Sequence, residues 1–240
     1  MMSSHPGLLF VTSRVKDPSQ TSDEQFNRMY DEEHLPDVLN YKHKVTDLAL
    51  RYKNTNQESD RAYLALYPLD DIEFFASGTL EKLTEDTRHS RTFGGEDILN
   101  LVHFEPRPYE KIQTFEGYSP SSNGEDAEKH QHARTLTCVA MEPAEDGDDD
   151  FDEWYRKQHL DMLSMCRGYR RTTRYKRIDG VKPRYLALHE WSFPPAEMPV
   201  EQIKQVTSTE WSKKIIGSAT VFERDVFELI QAQGDLEKEL

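Results

Sequence analysis

The first half of the chain alternates between stretches where apolar residues recur every second position and stretches where they recur every three or four positions. The first spacing is typical of strands and the second of helices. Ser22 and Asp23, whose side chains can accept hydrogen bonds from exposed backbone amides, indicate the start of the first helix. The pattern predicts strands over residues 8–13, 45–53, 62–67 and 98–104, a helix over about 23–40, and a polar helix over 70–89 that Gly78 interrupts.

The second half shows the same order of strand, helix, strand, strand, helix and strand. Its strands are predicted over residues 135–141, 169–178, 185–191 and 220–230, and its helices over 149–165 and 199–214. Three segments also recur in sequence: FNRMYDEEHL (26–35) as FDEWYRKQHL (151–160), RYK (51–53) as RYK (174–176), and YLALY (63–67) as YLALH (185–189). Ordered matches at nearly constant spacing indicate a duplicated unit.

The duplication predicts the domain organisation. The first unit spans residues 1–118, a linker rich in Ser, Asn, Gly and Glu spans 119–133, and the second unit spans 134–240. The β-α-β-β-α-β order is that of a ferredoxin-like unit, whose sheet carries both helices on one face. Two such sheets can bury their bare faces against each other. The predicted fold class is α+β, with two fused ferredoxin-like units closing into an intramolecular barrel, and a monomer or weak homodimer is expected.

Composition and charge narrow the range of partners. The formal net charge is −14, whereas binding to nucleic acid or to an anionic membrane requires clustered positive charge. The longest apolar run, residues 62–67, is far shorter than the ~20 residues of a membrane span, and no secretory signal precedes the first strand. Two cysteines exclude a disulfide framework or a Cys-rich metal site. A cytoplasmic protein without nucleic-acid or membrane partners is expected.

The candidate catalytic groups lie on the first helix of each unit. Tyr30, Glu33 and His34 follow helical spacing on one stripe, and His159 occupies the equivalent position in the second unit. An imidazole beside a phenol and a carboxylate can act as a general acid or base near neutral pH. The alternative is that each histidine only interacts with the carbonyl end of its helix. The first unit is favoured because Glu33 is replaced by Gln in the second copy.

Strand periodicity predicts a substrate pocket. The leucine faces of the strands are expected to meet the helices, and the opposite, aromatic faces are expected to face the space between the two sheets. A lining of aromatic rings, hydroxyls and small alanines is typical of a pocket for a flat, oxygenated ligand, although the same rings can simply fill the core. The predicted substrate-binding residues are Arg51, Tyr63, Tyr67, Tyr155, Arg174, Tyr185, His189 and Trp191.

The sequence contains no Gly-rich phosphate loop, no dinucleotide-binding fingerprint and no serine nucleophile elbow. Dependence on a nucleotide, nicotinamide or flavin is therefore disfavoured. We predict no cofactor and no metal site.

The helix segment Phe-x-x-Met/Trp-Tyr-x-x-Glu/Gln-His-Leu, together with Gly168-Tyr169 and the RYK segment at 174–176, resembles the EthD-like family. That family belongs to the dimeric α/β-barrel superfamily, and the tandem arrangement resembles fungal members with two units in one chain. The resemblance implies a barrel that binds small organic molecules. It also implies cofactor-free cyclisation, isomerisation, dehydration, decarboxylation or oxygenation, with haem binding in some members.

Three functions follow as hypotheses. The first is a cofactor-independent lyase or isomerase of the cyclase, dehydratase or decarboxylase type, acting on a polyketide-like or oxygenated aromatic molecule through proton transfer by His34. The second is a non-catalytic barrel that binds a small molecule or serves in stress responses. The third is a haem- or oxygen-dependent monooxygenase.

Overall fold

The computed structural model describes residues 5–117 and 132–240, so most of the predicted linker 119–133 lies outside the described residues. One turn of π-helix, Tyr30–His34, joins the first two helices of the first half. The elements of that half are β1 (Gly7–Val15), α1 (Asp23–Met29), α2 (Leu35–Leu39), β2 (Leu48–Asn54), β3 (Tyr63–Leu69), α3 (Glu73–Ala76), α4 (Thr79–Asp86), β4 (His89–Ser90), β5 (Glu96–Asp97), α5 (Ile98–Leu101) and β6 (Val102–Glu116).

The second half also has a π-helical turn, Tyr155–His159, which lies between α6 and α7. Its elements are β7 (Thr135–Glu142), α6 (Asp148–Trp154), α7 (Leu160–Ser164), β8 (Tyr169–Arg177), β9 (Tyr185–Trp191), a short 3-10 turn (Pro195–Glu197), α8 (Val200–Thr207), α9 (Glu210–Ser218) and β10 (Val221–Gly234).

Internal contacts divide the chain into two compact units, one ending at Glu110 but including Leu229–Leu240, and the other spanning Lys111–Glu228. The sheet of the first unit has the strand order β6-β1-β3-β2-β10, and that of the second has β10-β7-β9-β8-β6. Both β6 and β10 run across the boundaries between the two ranges. The predicted α+β class is confirmed. The repeat boundaries at 118 and 134 concern ancestry and stay a prediction.

The start of α1 agrees with the predicted cap. The Ser22 hydroxyl accepts a hydrogen bond from the Gln25 amide at 3.2 Å, and the Gln25 side chain accepts one from the Ser22 amide at 3.0 Å. This reciprocal capping satisfies two amides that lack intrahelical partners. The helix therefore begins where the sequence indicated.

The helix predicted over 70–89 is interrupted at Gly78, as expected, and forms α3 and α4; the φ of Gly78, 71°, lies in the left-handed region that a continuing helix does not adopt. Two other predicted element bounds were wrong. The last strand of the first half begins only at Val102, after the short helix α5, and continues to Glu116. The helix over 199–214 is likewise two helices, because Thr209 caps the start of α9.

The predicted orientation of the strand faces was also wrong. In the first unit, Tyr63, Ala65 and Tyr67 of β3 pack against the aromatic stripe of α1, whereas Leu64 and Leu66 lie on the opposite face of the strand. Both sets are buried. Period-two alternation separates the two faces of a strand but does not show which face meets the helices. The packing shows that the aromatic residues lie at the interface between sheet and helices.

Within the described ranges, no helix combines the length and the apolar character needed to cross a bilayer.

We expect Gly234→Ala to lower the free energy of unfolding by about 2–3 kcal/mol. Gly234 has φ of 98°, and an added Cβ would lie 2.0 Å from the backbone oxygen of Asp47, which accepts the Asp235 amide at 2.7 Å. Gly217→Ala is the matched control, because this glycine lies inside α9 with open space around it. It should raise stability by about 0.5–1 kcal/mol. Urea unfolding of both variants measures the difference, and equal midpoints would contradict the tight packing at Gly234.

Candidate active site

A cavity of about 240 Å³ lies in the first unit, between the sheet and the helices. An engineered cavity of roughly 150 Å³ takes up benzene, so this one has room for about two fused rings. Its lining comprises Leu9, Val11, Tyr30, His34, Val38, Tyr67, Leu80, Leu83, Thr84, Thr87, Arg88, Ile98, Leu99, Phe104 and Pro106. Of the predicted site residues, the cavity brings together Tyr30, His34 and Tyr67.

His34 closes the π-helical turn and places its ring on the cavity wall. Its ring centroid lies 4.8 Å from that of Tyr30 in an edge-to-face arrangement. Burial lowers the pKa of His34 to about 4, since the charged form loses hydration that the nearby Asp37 carboxylate only partly replaces. In the described part of the chain neither ring nitrogen has a hydrogen-bond partner. At neutral pH, His34 is therefore an uncharged imidazole with one free donor and one free acceptor.

Tyr30 and Tyr67 form a hydroxyl pair in the same cavity. The two phenolic oxygens lie 3.1 Å apart, and both side chains are buried. Burial raises the pKa of Tyr30 and raises that of Tyr67 well above its usual value, so both stay protonated. A hydrogen bond between two phenols uses only one of their two protons. The second proton is available to a ligand.

Arg51 does not line the cavity but lies beneath the helix that carries His34. Its guanidinium donates to the Asp31 carboxylate at 2.5 Å and to the Asn27 side chain at 2.8 Å. It also lies 4.2 Å from the centre of the Tyr30 ring. Tyr63, another predicted substrate contact, accepts a hydrogen bond from Asn27 at 3.3 Å and is likewise absent from the lining. In this arrangement both residues hold the helix on the sheet.

Glu33 holds the hairpin formed by β4 and β5. Its carboxylate accepts hydrogen bonds from the Ser90 hydroxyl at 3.0 Å, the Arg91 amide at 2.6 Å and the Thr92 amide at 3.0 Å. Burial by itself would raise the pKa of Glu33, but these hydrogen bonds outweigh burial and lower it. The cavity-lining residues Arg88 and Ile98 flank this hairpin on either side. Glu33 therefore fixes part of the cavity wall.

The equivalent region of the second unit is nearly filled. The cavity there is about 60 Å³ and is lined by His159, Tyr155, His189 and Trp191 among others, so it brings together four predicted site residues. Trp154 stacks on the His159 ring at 4.2 Å, where the first unit has Met29 at the equivalent position. A space of this size holds one or two water molecules and no aromatic ring.

The two buried histidines of the second unit differ in their partners: among the described residues, the His159 Nδ1 atom has no hydrogen-bond partner, whereas His189 is paired. The His189 Nδ1 atom lies 2.7 Å from the Thr172 hydroxyl, and its ring centroid lies 5.9 Å from that of His159. Burial lowers the pKa of His189 to about 3 and that of His159 well below its usual value. The predicted contacts Arg174 and Tyr185 lie outside the cavity lining. Arg174 donates to Asp152 at 2.8 Å, and Tyr185 donates to Asp148 at 2.7 Å.

Packing of the segments that follow β3 in the first unit and β9 in the second explains the different cavity sizes. In the second unit Gln158 accepts a hydrogen bond from Thr209 at 2.8 Å, which fixes the start of α9, and Ile216 of that helix lines the small cavity. In the first unit the equivalent Glu33 binds a hairpin instead of a helix. A hairpin brings fewer apolar side chains onto the sheet than a nine-residue helix does.

Sequence reasoning missed the wall supplied by α4. Leu80, Leu83, Thr84 and Thr87 line the cavity at helical spacing, in a segment predicted only as a polar helix. Their spacing of three, four and seven residues is the signal that identifies one inward-facing stripe. Phe104 and Pro106 of β6 were also missed; Pro106 lies beyond the predicted strand, which ended at residue 104.

Among residues 5–117 and 132–240, no group of three or more His, Cys, Asp or Glu side chains is placed to hold a metal ion.

We expect stability to fall as pH is lowered from 6.5 to 5, in part because of His189. Its folded pKa of about 3 lies below the usual value of 6.5, so only the unfolded chain gains the proton in this window. His189→Gln should reduce the fall by up to about 1.4 kcal/mol per pH unit. The exposed His43→Gln is the control and should leave the slope unchanged. Urea unfolding at both pH values measures the change in the free energy of unfolding. Equal changes for the parent protein, His189→Gln and His43→Gln would contradict a buried neutral His189.

We expect Glu33→Gln to loosen the β4–β5 hairpin. Hydrogen exchange of the Arg91 and Thr92 amides should accelerate by roughly 10- to 100-fold, because an ionised acceptor is replaced by a weaker neutral one. The exposed neighbour Glu32→Gln provides the control with the same chemical change. Amide exchange that is unaltered in the Glu33 variant would show that the hairpin is held by other contacts.

No protein-family model matches this chain. It is 27% identical over 219 residues to core atranone cluster protein 1 of Stachybotrys chlorohalonatus (strain IBT 40285), a match that covers 84% of this chain and 88% of that protein. Among solved structures, an anthrone oxidase-like protein superposes with a TM-score of 0.58 at 12% identity, covering 97% of this chain and 94% of that one. A mutant chlorite dismutase from Candidatus Nitrospira defluvii superposes with a TM-score of 0.60 at 6% identity, covering 96% and 93%. The likeness to these two solved structures shows the fold alone.

Proposed function

We propose that the protein is a cofactor-independent lyase or isomerase that acts on a polyketide-like or oxygenated aromatic molecule in the cavity of the first unit. One observation carries this proposal. A neutral imidazole without a hydrogen-bond partner in the described part of the chain, His34, shares an apolar cavity with a phenol pair that has a proton to donate. These groups supply a base and an electrophile in a site of low polarity.

His34 removes a proton from a substrate carbon next to a carbonyl group. The negative charge then develops on the carbonyl oxygen, where the Tyr30–Tyr67 pair donates its free proton as a hydrogen bond. The same negative charge raises the pKa of the imidazole while the reaction proceeds, which offsets its low resting value. The imidazolium returns the proton at another carbon in an isomerisation, or to a leaving hydroxyl group in a dehydration.

Two relatives support the substrate class. The name of the Stachybotrys protein assigns it to the core atranone cluster, and a structural neighbour is named for its likeness to anthrone oxidase. The EthD-like resemblance and the duplicated origin of the two units are part of the same proposal. So are a cytoplasmic location and a monomeric or weakly dimeric state. We assign the reaction to the first unit, because the second has space for little more than water.

A second candidate is an oxygen-dependent monooxygenase, favoured by the anthrone oxidase-like neighbour. The same base step by His34 would produce an electron-rich anion that reacts directly with O₂. For 1-naphthol, the two-ring counterpart of anthrone, the balance is one naphthol and one O₂ giving one naphthoquinone and one water. A haem does not fit the cavity of about 240 Å³, since a cavity of roughly 150 Å³ takes up a single benzene and a porphyrin has four pyrrole rings. No step is assigned to a haem.

We expect His34→Gln to slow proton exchange from the α-carbon of 1-tetralone by about 10²–10⁴-fold. Exchange is followed by proton NMR in D₂O, with exchange in buffer alone subtracted, and the exposed His43→Gln is the control. Because the pKa of His34 is about 4, the unprotonated base predominates above that value, and the rate should fall only as pH drops through it.

Equal rates for the parent protein and His34→Gln would remove His34 from the reaction. Binding of tetralone without any catalysed exchange would favour the non-catalytic binding protein. Uptake of oxygen with formation of naphthoquinone from 1-naphthol, lost in His34→Gln, would favour the monooxygenase.

A further inference from the structure

Most polar groups around the first-unit cavity already have partners in the protein. The Thr84 hydroxyl donates to the Leu80 carbonyl at 2.8 Å, and the Thr87 hydroxyl donates to the Leu83 carbonyl at 2.8 Å. Their protons are therefore not available to a ligand. The remaining lining is hydrocarbon apart from Arg88, His34 and the two tyrosines.

The one guanidinium of the lining is neutralised. Arg88 donates to Asp97 at 2.6 Å and approaches Glu85 at 3.5 Å. Arg51, the nearest buried guanidinium beyond Tyr30, is paired with Asp31. An anionic ligand would have to break one of these pairs or remain without a counter-charge in an apolar space, and the second costs several kcal/mol.

Two hydrogen-bonding features remain for a ligand. The Tyr30–Tyr67 pair has one proton without a protein acceptor, and the neutral His34 ring has a free donor and a free acceptor. An unmet phenol proton in such a site requires an acceptor oxygen on the ligand. Both features lie in a space for about two fused rings.

We infer that this cavity selects an uncharged, two-ring ketone whose carbonyl oxygen accepts the free phenol proton, and that it rejects carboxylated forms of the same skeleton. The inference rests on the proposed function only in taking this cavity as the substrate site. The reaction that supplies the substrate must then leave no free carboxylate. Cyclisation with decarboxylation, or lactone formation, has that result.

Four probes test the selection by calorimetric titration of the unmodified protein. They are 1-tetralone, tetralin, 6-carboxy-1-tetralone and the methyl ester of that acid. The ester is larger than the acid but uncharged, so charge and size are separated. We expect the ester to bind at least about a hundredfold more tightly than the carboxylate at pH 7. The ring signals of His34, but not those of His43, should shift in NMR spectra on binding of tetralone.

The double substitution Tyr30→Phe with Tyr67→Phe removes both phenol groups and should lower the preference for tetralone over tetralin by about tenfold. Tyr67→Phe alone should retain most of this preference for tetralone, since the Tyr30 proton is then free to bind the carbonyl oxygen. Equal binding of acid and ester, or an unchanged preference in the double variant, would overturn the inference. Selective binding without His34-dependent exchange would instead refute the proposed reaction and leave the selectivity standing.

Discussion

A buried arginine fixes the histidine-bearing helix to the sheet in each unit. Arg51 on β2 pairs with Asp31 and lies 4.2 Å from the Tyr30 ring centre. Arg174 on β8 pairs with Asp152 and lies 4.2 Å from that of Tyr155. A buried guanidinium must keep its counter-charge, so removal of either partner leaves an uncompensated charge. The pair therefore fixes the position of the helix relative to the strands, and with it the positions of the tyrosine and histidine of each π-helical turn.

Both units have this arginine–aspartate pair, but the space between helix and sheet differs between them. In the first unit, Glu33 binds a hairpin, and space for a ligand remains between helix and sheet. In the second unit, Trp154 stacks on His159 and α9 packs over the sheet, so that only about 60 Å³ remains. Filling a cavity improves packing and stability, whereas an empty apolar cavity costs stability. This contrast is consistent with a division in which one unit binds a ligand and the other stabilises the fold.

Burial decides the chemistry of the retained groups. Loss of hydration keeps His34 uncharged and both phenols of the Tyr30–Tyr67 pair protonated. The acidic character of the chain, with a formal net charge of −14, does not extend into this cavity, where the only charged lining residue is already paired. A base, a hydrogen-bond donor and a neutral apolar wall thus occur together, a combination suited to enolisable ketones.

The amino-acid sequence by itself determined the α+β class, the start of α1 at the Ser22 cap and the stripe carrying Tyr30 and His34, because these depend on contacts close along the chain. It could not determine which face of β3 meets the helices, since the leucine and the aromatic faces are both buried and period-two alternation is the same either way. It also could not locate the cavity. Empty space is the difference between the volume enclosed by distant elements and the volume of the side chains that fill it. Only the tertiary structure brings α4, β6 and the β4–β5 hairpin around His34 and decides that difference.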